Sequence, residues 1–160
     1  MWEPSPDGLG KGQMAFIVWM PLSSGGGSLV FAEATASKVL LAQLAELRAQ
    51  KHFVCPLEAV AMLAPYLCTE IAESLAGEDI IHCADNQGAN GIATKGYSGA
   101  RDLAAIVRIM QSAWQILDVD PWIEYVPSKA NLSDEPSRDK LDTMRRLGAT
   151  RVSFEVPVLI

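Results

Sequence analysis

A chain of 160 residues is one domain by length, and 49% hydrophobic with 20% charged residues marks it as a folding sequence, not a disordered one. A net charge of −6 removes any broad electrostatic pull toward phosphate backbones, so a nucleic-acid role would need metal ions or a basic partner. The longest apolar run, Met14 to Leu22, is too short for a membrane span, and the acidic, proline-containing N-terminus is no signal peptide. Cys55, Cys68 and Cys83 show no CxxC pairing and lie in apolar runs, so they read as buried free thiols of an intracellular protein, cytoplasmic or nuclear, with no membrane partner.

The whole chain, 1–160, reads as a single domain. Residues 1–12, rich in Pro and Gly, predict a loop. Met14 to Met20 predicts a buried strand, and Ser28 to Ala32 an antiparallel partner after the Gly-rich connection Ser23 to Gly27. Lys38 to Gln50 carries apolar residues at helical spacing. Cys55 to Leu75 repeats that signal, with Pro56 suited to the first turn and Pro65 placed to kink or divide the helix. Asp79 to Ala84 predicts a short buried strand, and Gly88 to Thr94 a short helix. Ser98 is the expected N-cap of a long helix to Leu117. Trp122 to Val126 predicts a strand with Trp122 and Trp114 in the core, and Leu132 to Leu147 a loop passing into a helix that Gly148 ends. Residues 148–160 predict an edge strand or ordered tail, from the alternation of Val152, Phe154, Val156 and Val158. Strands joined through helices call for an α/β fold with a mixed or parallel sheet flanked by helices.

Three acids stand out. Asp85 ends an apolar run, where an open α/β sheet gathers its chemistry; the competing explanation is an N-cap of the next helix. Glu58 sits at the start of an apolar helix, where dipole complementation is the alternative. Asp134 lies near a helix start, where capping is again the default. Each alone is more simply structural. As a set they have the composition of a divalent-metal site, because hard cations prefer several converging carboxylates that leave positions open for phosphate.

The span from Leu57 to Arg138 resembles the ribonuclease H-like domain of retroelement polyproteins, of the type that follows reverse transcriptase in DIRS-like elements. The matching pieces are Leu57-Glu58-Ala59-Val60-Ala61, Ala84-Asp85-Asn86-Gln87-Gly88-Ala89, Lys95-Gly96-Tyr97-Ser98 and Val126-Pro127-Ser128-Lys129-Ala130-Asn131-Leu132-Ser133-Asp134-Glu135-Pro136-Ser137-Arg138. The resemblance implies an RNase H-like mixed sheet flanked by helices and hydrolysis of RNA in RNA–DNA hybrids. It also implies two Mg²⁺ ions, with Mn²⁺ as a substitute, and reverse transcriptase or other polyprotein domains as neighbours. On that likeness Glu58, Asp85 and Asp134 would be catalytic metal ligands. Asn86 and Asn131 would lie near the substrate backbone. Lys129 and Arg138 would contact phosphate, with solvated loop charge as their alternative.

The sequence departs from the pattern at its start. The resemblance implies a central first strand ending in Asp, but no apolar run precedes Met14, and Asp7 is the only early Asp. The expectation is therefore an N-terminally truncated RNase H-type chain whose activity is left open, its fourth carboxylate absent or supplied by Asp7, with a non-catalytic connector or nucleic-acid interaction module as the alternative. Some relatives also carry a His before the last Asp; here Lys129 is the only titratable base between Val126 and Asp134. The remaining rival is an unrelated α/β binding protein whose acids are helix caps.

Overall fold

The computed structural model describes residues 12–22, 24–47 and 54–159. Asp7, with residues 1–11 of the expected loop, lies outside the described residues. The protein is mixed α/β. Strand β1 (Gln13–Pro21) and β2 (Gly27–Thr35) form an antiparallel hairpin in which Met14 pairs with Ala34 and Met20 with Ser28. Alternation sends Met14 and Phe16 of β1 to a buried face, while Val30, Phe31 and Ala32 of β2 are buried consecutively, so both faces of β2 are covered.

Helices α1 (Lys38–Leu47) and α2 (Val54–Leu67) follow. Pro56 falls in the first turn of α2, where its missing N–H costs nothing. Pro65 sits in the last turn; the helix stops two residues later, and α3 (Thr69–Leu75) departs at 75°. Strand β3 (Ile81–Ala84) leads into α4 (Gln87–Lys95) and the 17-residue α5 (Arg101–Leu117), and β4 (Trp122–Tyr125) returns parallel to β3. Three consecutive 3₁₀ turns span Ser128–Arg138 and lead into the short helix α6 (Asp142–Arg146). Strand β5 (Thr150–Arg151) joins β2 in parallel.

Among the described residues the strands make two sheets. One is mixed, in the order β1-β2-β5; the other is the parallel pair β3-β4. Helix α2 is the hub beneath both. It packs against β1, α4 and α5, and its Leu57, Val60, Leu63 and Tyr66 join Met14 and Ala84 in one core. No single helix among the described residues is long and apolar enough to cross a membrane.

Three local expectations need correction. Trp122 is 69% exposed, not core: β4 has two faces, and no described element covers its outer one. The same uncovered face leaves Cys83 of β3 exposed, so of the three thiols only Cys68 is fully buried. Ser98 does not cap α5; Ala100 holds that position, and the Ser98 hydroxyl accepts from the Ala100 amide at 3.2 Å. The region 148–160, expected as an edge strand or ordered tail, pairs with β2 at Thr150–Arg151. Beyond that pairing the chain runs as an extended tail tied down by side chains, with Phe154 edge-on to Phe16 and Gln43 bonded to the Leu159 backbone.

Candidate carboxylate site

Asp85 follows the last residue of β3, and its surroundings are built by α4. Asn86 takes the N-cap position, and its Oδ1 accepts from the Ala89 amide at 3.0 Å. Asn90, one turn on, donates from Nδ2 to the Ala84 carbonyl at 2.9 Å and so fastens the end of β3 to α4. Gly88 lets the first turn of α4 press on α2: a Cβ there would meet Cys55 Sγ at 3.0 Å and Asn86 Oδ1 at 3.2 Å. The capping explanation for Asp85 is therefore taken over by its neighbour. Gly88 and Asn90 perform positioning roles that sequence reasoning missed; a second Asn four residues after the first was the available signal.

Glu58 stands in the second turn of α2, among Leu57, Ala59 and Val60, all buried. Its carboxyl is pushed up to about 7, first by burial and then by the negative charges of Asp85 and Asp134. Asp134 closes the second 3₁₀ turn, Leu132–Asp134, which packs on β1. It is also raised, by burial and by Asp85, while Arg138 opposes the rise. The Arg138 guanidinium donates to Asp134 Oδ2 at 3.1 Å. Nor does Asp134 cap anything: the Asn131 side chain accepts from the Ser133 amide at 3.2 Å and its hydroxyl at 2.7 Å.

The fold thus brings Glu58, Asp85 and Asp134 from α2, the end of β3 and the 132–138 turns into one electrostatic neighbourhood. Asn86 and Asn131 lie beside the two aspartates, each with its amide oxygen committed to a local cap. Lys129 is exposed on the preceding turn, with no ion pair among the described residues. Among the described residues, no group of three His, Cys, Asp or Glu side chains is close enough to hold an ion as it stands. The donors have the right chemistry for a hard cation, and the raised proton affinity of Glu58 and Asp134 comes first from burial and then from the neighbouring carboxylate charge.

His82 is not part of this cluster. It turns onto α2, where its Nδ1 lies 2.9 Å from the Tyr66 hydroxyl and its ring stacks on Tyr66. Burial lowers it to about 4, so it is a neutral core histidine at physiological pH. Trp114 packs edge-on to the same tyrosine, as expected of a core residue. Compared with known protein families, curated proteins and solved structures, the chain matches none.

Proposed function

We propose that this chain is a ribonuclease H-like domain of the retroelement type, built to hydrolyse the RNA strand of RNA–DNA hybrids with Glu58, Asp85 and Asp134 around Mg²⁺. The observation that carries the reading is the convergence of three carboxylates from distant parts of the chain, at a Glu58 pushed up to about 7 by burial and by the other two. Fixed caps at Asn86 and Asn131 leave both aspartates without a capping duty, which removes the simplest structural reason for their presence. Bound among these oxygens, divalent metal would supply an activated water and stabilise charge on the departing oxygen. The chain's own part is to hold the acids: Asn90 fixes the end of β3, Gly88 sets the approach of α4 to α2, and Arg138 holds Asp134.

A second reading, a non-catalytic RNase H-like module within a polymerase polyprotein, draws support from the lack, among the described residues, of any group of three His, Cys, Asp or Glu side chains placed to hold an ion. Mg²⁺ titration by calorimetry, paired with cleavage of a labelled RNA–DNA hybrid, separates the two. Heat that disappears in Glu58→Gln, Asp85→Asn and Asp134→Asn, together with Mg²⁺-dependent cleavage, supports the nuclease. Carboxylate-dependent heat without cleavage supports the connector. No Mg²⁺ response from the wild type would remove the nuclease and leave the acids structural.

A further inference from the structure

A groove of about 540 Å³ opens between α1, α5 and the turn that joins α4 to α5. One wall carries Tyr97, Ser98, Arg101 and Arg108; Gln43 and Glu46 of α1 stand on the other. The arginines distinguish it. Arg138, Arg145 and Arg151 are each bridged to an acid, and Arg146 donates to the Thr143 hydroxyl at 3.1 Å. Arg101 and Arg108 are exposed and have no carboxylate partner among the described residues. In a chain with 19 acids against 13 bases, two unneutralised guanidiniums on one helix face are a local reversal of the molecule's charge.

Spacing fits a strand of nucleic acid. Seven residues along α5 separate the two arginines by about 10.5 Å, close to the rise of three nucleotides at about 3.4 Å each. Tyr97 is 69% exposed at the lip, where a base could stack on it. Gly96, in the left-handed conformation that ends α4, sets that lip. Helix α4 runs from Asp85 to this turn and is nine residues, about 14 Å, long. A duplex resting on the carboxylates could therefore reach the groove.

We propose that the Arg101–Arg108 groove is a phosphate-backbone docking site that holds a nucleic-acid strand one helix length away from the carboxylates. The inference rests on the nuclease reading for its substrate, but not for its test. Binding of a fluorescein-labelled RNA–DNA hybrid is followed by anisotropy in EDTA, across a series of KCl concentrations. Arg101→Gln/Arg108→Gln should weaken binding on the order of tenfold and make the slope of log K against log salt shallower by about two, because each lost phosphate contact removes about 0.9. Arg101→Lys/Arg108→Lys should keep the slope. Glu46→Gln should tighten binding, a change of opposite sign that also serves if the double glutamine variant fails to fold. Wild type that does not bind in EDTA, or a folded double glutamine variant with unchanged slope, overturns the proposal. Mg²⁺-dependent cleavage with arginine-independent affinity would sink the groove and spare the nuclease. Arginine-dependent affinity with no cleavage would do the reverse.

Discussion

Asp85 and Asn86 are both good capping types, and type alone cannot choose between neighbours. Backbone geometry can: Asn86 has φ −101° and ψ 104°, the extended cap conformation, and its Oδ1 reaches the Ala89 amide. The two residues therefore predict opposite outcomes. Asn86→Ala should cost about 1 kcal/mol of stability through loss of the cap. Asp85→Asn should cost nothing or stabilise slightly, because it removes a charge that repels Glu58, and the Glu58 carboxyl should move down from about 7. Thermal melts of both variants and an NMR titration of Glu58 check this. A large destabilisation by Asp85→Ala that Asp85→Asn does not share would return Asp85 to a capping role, since Asn caps as well as Asp. Trp122 and Cys83 were misread at the same scale. Alternation in a strand says that two faces differ, not which of them another element covers, and coverage depends on packing far along the chain.

At the scale of elements, the helices were legible because long apolar periodicity and proline placement act locally: Pro56 and Pro65 fall where α2 starts and where it ends. The 128–147 region was less so. Its sequence promised a loop passing into a helix, and it folds as three 3₁₀ turns and the five-residue α6, too short to be stable by propensity. Burial holds it instead. Met144 is 0% exposed, and Pro136 is also buried. That makes Met144 an anchor for the segment that carries Asp134. Met144→Ala should cost about 2–5 kcal/mol, as large-to-small core changes do. It should also let Asp134 drift from Glu58, so the Glu58 carboxyl falls from about 7. Chemical denaturation gives the first quantity and NMR titration the second. A stability loss with an unmoved Glu58 would mean that Asp134 is held by Arg138 and the turns alone.

Across the whole molecule, the α/β class and the order of elements were readable, whereas the division into β1-β2-β5 and β3-β4 was not, since strand order depends on long-range pairing. The two groups that this packing buries most consequentially, Glu58 and His82, titrate against each other. Glu58 is raised from 4.5 to about 7, so the fold favours its protonated form. Its stabilisation is complete below pH 4.5 and is lost as pH rises through about 7. His82 is lowered from 6.5 to about 4, so the fold favours its neutral form. Its stabilisation is complete above pH 6.5 and is lost as pH falls through about 4. At about 1.4 kcal/mol per unit, each contribution is at most roughly 3 kcal/mol, and less for the partly exposed Glu58. Because the windows overlap and the signs oppose, the metal-free wild type should show little change in Tm between pH 4.5 and 6.5. Glu58→Gln leaves His82 opposed only by the raised Asp134, so its Tm should climb as pH rises through that window. His82→Gln leaves Glu58 unopposed, and its Tm should fall over the same range. Calorimetric scans in EDTA at several pH values decide it: parallel profiles for the three proteins would mean that neither group is held as this packing requires, and the carboxylate neighbourhood would lose its physical basis.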